Sequence, residues 1–161
     1  MCYCVFLASD QPLPIRQIPE GQQGFRAWTL RANHPVQQWF SKPYIVEFGS
    51  TTGCACALYF QLNFEMELEE TPEFSEDLTP EMWKAWVEEY ELKKQALCEY
   101  FNYLQTALAE SDLEWYCCWD GDWDIPPIRR EAKTLASLSG EPDFQKDYPL
   151  ECGLFIDYQK K

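Results

Sequence analysis

The sequence predicts an α+β domain, a single antiparallel or mixed sheet of about five to six strands with one long helix and one or two shorter helices on one side. Three observations lead there. Short apolar runs outnumber helical patterns and do not alternate with them, one stretch of some thirty residues carries an unbroken helical stripe, and 161 residues with 46% hydrophobic content suffice for one core. One globular domain over 1–161 is expected, with an acidic connection around 65–79.

Tyr3 to Ser9 is apolar on both faces, as a central strand covered on two sides would be. Gln11-Pro12-Leu13-Pro14 ends it. A polar loop with Gly21 and Gly24 leads to a strand over Phe25–Leu30, after which Asn33 or His34 ahead of Pro35 opens a short helix through Phe40. Tyr44–Phe48 and Ala55–Phe64 read as a hairpin joined by Gly49-Ser50-Thr51-Thr52-Gly53.

The long helix runs from Pro80 to about Ala109, because Thr79 suits the N-cap, Pro80 the first turn, and Glu81 the positive end of the dipole. Met82, Trp86, Tyr90, Leu97, Phe101, Leu104 and Leu108 form its buried stripe. Leu113–Trp119 then reads as a strand, Asp120-Gly121 as a hairpin turn and Asp122–Ile125 as the return limb, with Trp119 and Trp123 as a cross-strand pair. The apolar spacing of Ile128, Ala132, Leu135 and Leu138 predicts a second helix over 128–138, and Gly153–Tyr158 a closing strand.

Charge narrows the partners. Twenty-seven acids against thirteen bases give −14, which repels phosphate backbones, so nucleic acid is excluded as a partner. The longest apolar opening, Val5 to Ala8, is far too short to span a bilayer and carries no basic leader, so no membrane association and a cytoplasmic location are expected. Eight acids between Glu65 and Glu81 occur with no Lys or Arg among them. Glu69, Glu70, Glu73 and Glu76 are the candidate contacts for a basic protein partner, the alternative being a solvated linker.

Eight cysteines in such a compartment are free thiols or metal ligands and not a disulfide framework. The candidate metal ligands are the two C-x-C pairs, Cys2 with Cys4 and Cys54 with Cys56. A single histidine, His34, rules out zinc motifs that need two, so a zinc site would need at least three thiols. Zinc is not favoured, because C-x-C on a strand holds both sulfurs parallel on one face, in line with Phe6 and Ala8 or with Leu58 and Phe60. Core packing is the simpler role. Cys117 and Cys118 should point to opposite faces and are no chelating pair.

Met1-Cys2 leading into a strand resembles the start of glutamine amidotransferases with an amino-terminal nucleophile, where loss of methionine exposes a catalytic Cys. The resemblance covers two residues and implies that role for Cys2; the family's substrate-binding motifs are not found. Asp120, Asp122, Asp124 and Glu131 match EF-hand positions, yet the glycine position is Ile125 and two prolines follow. No nucleophile elbow, P-loop or dinucleotide fingerprint occurs, so no catalytic residue is assigned. The function read from sequence is a small acidic non-enzymatic binding module for a basic protein, with a thiol-dependent metal or redox protein as the alternative.

Overall fold

β1 (Tyr3–Ser9) is buried along nearly its whole length because it lies in the interior of a six-stranded sheet that is covered on both faces. The computed structural model describes residues 2–19, 24–50, 55–56, 80–134 and 151–160. The other strands are β2 (Phe25–Thr29), β3 (Tyr44–Ser50), β4 (Leu113–Trp119), β5 (Arg129–Thr134) and β6 (Leu154–Gln159), in the order β2-β3-β1-β4-β6-β5. Pairing is antiparallel except between β5 and β6, so the sheet is mixed.

The alternation along each strand sorts residues onto two faces. Val5, Leu7, Phe25, Ala27, Val46, Phe48, Trp115, Cys117, Ile156 and Tyr158 meet helix α1 (Pro80–Glu110), which adds Leu97, Tyr100, Phe101, Leu104 and Leu108. Trp115 donates its indole N–H to the Tyr100 hydroxyl at 2.8 Å, which fixes the rotation of the helix over the sheet. Leu97, Phe101, Leu104 and Leu108 lie on the buried stripe as expected. Tyr100 and Ala96 widen it.

The second face is also dry at its centre. Cys4, Phe6, Tyr116, Cys118 and Phe155 are covered by Leu30, by Val36 of a 3-10 turn (Pro35–Trp39), and by Trp39, Phe40 and Trp123. His34 caps that turn, its Nδ1 accepting from the Val36 N–H at 3.3 Å. A buried Glu114 ties down the next segment, accepting from the Ser41 N–H at 2.8 Å, from the Ser41 hydroxyl and from the Lys42 N–H at 3.3 Å.

The sheet and the long helix match the expectation, but the additional shorter helices do not. Residues 129–134 form β5 and not a helix. Ile128 would have anchored the helical stripe, yet it is 84% exposed, while its N–H and that of Arg129 bond the Gly153 carbonyl at 2.8 and 3.1 Å. An open strand edge at β6 thus outweighed a weak local periodicity. Among the described residues the second face is covered by a short turn and loops, and α1 lies on the other face.

The return limb after Asp120-Gly121 is likewise absent. Asp122 N–H bonds Trp119 O at 3.0 Å and Ile125 N–H bonds Asp122 O at 3.1 Å, giving two successive turns with Gly121 at φ 98°. Trp119 stacks on Tyr3 at 4.3 Å, whereas Trp123 folds onto the second face, so the two are not a cross-strand pair. β3 runs on through Gly49 and Ser50, which were expected to begin a loop. Ala55 is buried in the helix-side core and Cys56 is half-buried, neither in a strand, which reverses the expected phase of the C-A-C segment. The remainder of the expected strand, 57–64, and the acidic connection lie outside the described residues.

Candidate functional site

On the sheet face away from α1, beside the apolar patch around Phe6, a cleft of about 500 Å³ is lined by Gln17, Arg26, Trp28, Leu30, Arg31, His34, Glu47 and Trp123. Local sequence builds most of it. In Phe25-Arg26-Ala27-Trp28 the apolar Phe25 and Ala27 go to the helix side, so Arg26 and Trp28 must face the other way. In β3, Val46 and Phe48 do the same and turn Glu47 over. The register sets Trp28 opposite Glu47, and the indole N–H donates to the carboxylate at 3.1 Å. Arg26 lies opposite Gly49 in the same register.

The walls come from the covering segments. Leu30, Arg31 and His34 lead into the 3-10 turn, and Trp123 comes from the loop after β4. That loop is pinned by Trp39 Nε1 donating to Trp123 O at 3.0 Å and by the Tyr116 hydroxyl donating to Ile125 O at 3.1 Å. The His34 ring contacts Trp123 at 4.8 Å and Phe6 at 5.7 Å between centroids.

The polar groups are unevenly matched. The Arg26 guanidinium sits 4.5 Å over the Trp28 ring, and its Nε is buried without a hydrogen-bond partner. Among the described residues neither Arg26 nor Arg31 forms an ion pair. The Trp123 indole N–H is buried beside the Cys4 thiol and makes no well-formed hydrogen bond. Burial pushes the Glu47 carboxyl above its usual range; the Trp28 hydrogen bond opposes this, Asp120 reinforces it, and Arg26 and Arg31 oppose it. Burial, then the charge of Arg31, holds His34 below its usual value, so near neutrality the ring is uncharged. With Nδ1 accepting from Val36, the remaining nitrogen carries the proton.

A second concavity, between α1 and the Gln11–Arg16 segment, has a volume of about 760 Å³. Several of its polar groups pair: Tyr103 with Pro14 O at 2.7 Å, Arg16 with Glu99 at 2.7 Å, and Ser9 with Ser111 at 2.5 Å.

Of the sequence-derived candidates, Cys2, Cys4 and Cys56 fall among the described residues. Cys4 is buried beneath Trp123, where burial pushes its thiol up to about 12, the Trp123 N–H opposing this and the charges of Glu47, Asp120 and Cys2 adding to it. Cys2 is half-buried, and its carbonyl accepts from Asp120 N–H at 2.8 Å. Cys56 comes close to β1, its sulfur accepting from Tyr3 N–H at 3.2 Å. Cys54, Glu69, Glu70, Glu73 and Glu76 lie outside the described residues. Among the described residues no three His, Cys, Asp or Glu side chains are grouped to hold a metal.

Arg26, Trp28, Arg31 and Glu47 are not singled out by the sequence, and Trp123 stands out there only as half of a cross-strand pair. The available signal was the charged residue in mid-strand in both FRAWT and YIVEF, each out of phase with its apolar neighbours. Without the register, nothing showed that the two belong together. No protein-family model, curated protein or solved structure matches the chain.

Proposed function

We propose that the chain is a non-enzymatic binding module whose cleft holds a small molecule with an anionic head, a carboxylate or a phosphate. The observation that carries this reading is the Arg26 guanidinium, partly buried and, among the described residues, without an ion pair and with an orphan Nε, in a chain with about twice as many acids as bases. An unsatisfied buried donor costs stability, and a bound oxyanion would supply its acceptor. Trp28 and Trp123 offer aromatic surface for the ligand's body, and Glu47 an acceptor for a donor on it. The protonated Cys4 thiol and the engaged Nδ1 of His34 favour binding over nucleophilic chemistry.

Calorimetric titration with succinate, inorganic phosphate, a nucleoside monophosphate and glutamate tests this and separates the head groups. Saturable binding of at least one is expected, weakened roughly 10- to 100-fold by Arg26→Met, as loss of a charge-assisted contact implies. Failure of all four to saturate, or binding indifferent to Arg26→Met in a folded variant, would overturn the reading.

A basic protein recruited by the acidic run from Glu65 to Glu81 is a separate proposal, supported by eight acids in seventeen residues without a Lys or Arg.

A further inference from the structure

On the helix side of β4, Cys117 is fully buried, and Cys152 packs against the same core cluster. The backbone holds the two together. Gly153, next to Cys152, donates its N–H to the Cys117 carbonyl at 2.8 Å, and its own carbonyl takes the N–H groups of Ile128 and Arg129. A φ of +82° at Gly153 turns the chain there, and a Cβ at that position would lie 2.7 Å from Ile128 Cδ1, so the turn is seated tightly. Cys152 packs against the core cluster containing Cys117 but is only half-buried.

We propose that Cys117 and Cys152 form a reversible intramolecular disulfide, with Cys152 as the reacting thiol and Cys117 as the resolving one. The interaction of the two thiols holds Cys152 below its usual range, while the same interaction, and then burial, push Cys117 up. The co-reactant is a low-molecular-weight disulfide. The Cys152 thiolate attacks one of its sulfurs, forming a mixed disulfide and expelling one thiolate. That thiolate takes the Cys117 proton, and the Cys117 sulfur attacks Cys152, breaking the mixed disulfide and releasing the second small thiolate. Two protein thiols are oxidised and one small disulfide is reduced to two thiols.

Three other thiols set the contrast. Cys98 is exposed on α1, and Cys118 points to the opposite face, directly across from Cys4 in the β1–β4 register. The Cys4–Cys118 pair is buried on both sides, and burial pushes both thiols up, so it lacks an entry point for the oxidant.

The test is to equilibrate the full chain in glutathione buffers of graded redox poise, quench with acid, alkylate the remaining thiols, digest and map the peptides. A cross-linked peptide joining Cys117 to Cys152 is expected, reversed by dithiothreitol, with Cys4 and Cys118 still alkylated after unfolding. Cys117→Ser should stop the reaction at a glutathione adduct on Cys152, and Cys152→Ser should leave Cys117 unmodified. The wild-type map decides the matter even where a variant does not fold. A persistent glutathione adduct on wild-type Cys152, a Cys4–Cys118 link forming first, or no reaction of Cys152 at poises that modify Cys98 would each overturn the proposal.

Discussion

Glu114 is the residue whose loss should be felt most for its size. It is 6% exposed, and its carboxylate is the acceptor for three donors: the Ser41 N–H, the Ser41 hydroxyl and the Lys42 N–H. These bonds anchor the chain between the 3-10 turn and β3, which covers the second face through Trp39 and Phe40. Glu114→Ala removes all three bonds and leaves a small void in the sheet surface. Hydrogen bonds to a charged group contribute about 1.5–3 kcal/mol each at best, and Ser41 is exposed enough for water to recover part of the loss, so a net cost of about 3 kcal/mol follows. For a chain of this length that corresponds to a fall of roughly 6–12 °C in Tm. Urea unfolding followed by circular dichroism should show a lower midpoint with an unchanged slope, because the same surface is exposed. Ser41→Ala, which deletes only the hydroxyl bond, should cost about 1 kcal/mol, and the double variant should lose less than the sum. A Glu114→Ala protein within about 0.5 kcal/mol of wild type would refute the claim that this carboxylate anchors the covering segment.

Glu47→Gln should raise Tm at neutral pH. The folded-state pKa of Glu47 is raised chiefly by burial, so the stability from its protonated form is present at low pH and lost as pH rises through that value. Gln retains an acceptor for Trp28 without the buried charge, and its advantage should disappear below the ordinary carboxylate range; an advantage independent of pH in thermal scans would contradict this. Gly153→Ala should cost at least about 1–3 kcal/mol, since alanine meets both an unfavourable φ and the Ile128 side chain, and an unchanged urea midpoint would show that the turn is not seated as described. Reversing Glu69, Glu70, Glu73 and Glu76 to Lys should abolish salt-sensitive capture of a basic partner in a low-salt pulldown while leaving the far-ultraviolet spectrum unchanged. Equal capture by both proteins would reduce that run to a solvating segment.

Tyr3–Ser9 and Leu113–Trp119 were legible as strands to the residue, because both combine dense apolar content with strong turn or breaker signals at their ends. The long helix was legible within a residue at its end, since its stripe, N-terminal proline and acidic first turn agree. A cap at Asn33 or His34 was legible, and it falls to His34, because capping is a local interaction with the N–H two residues ahead. In each case the determinant lies within a few residues of sequence.

Tertiary structure decided the rest, wherever the partner of a group lies far along the chain. The Arg129–Thr134 segment has a helical spacing but no apolar face to bury, and the free edge of β6 made it a strand. WDGDWD carries a strong hairpin signal, yet Trp123 gains more by covering Cys4 and Phe6 than a two-stranded limb in solvent would provide. The cleft draws Arg26, Glu47 and Trp123 from three distant segments, and Cys117 meets Cys152 across thirty-five positions. Periodicity records which face a side chain takes; only the register of the folded sheet determines which other side chains share it.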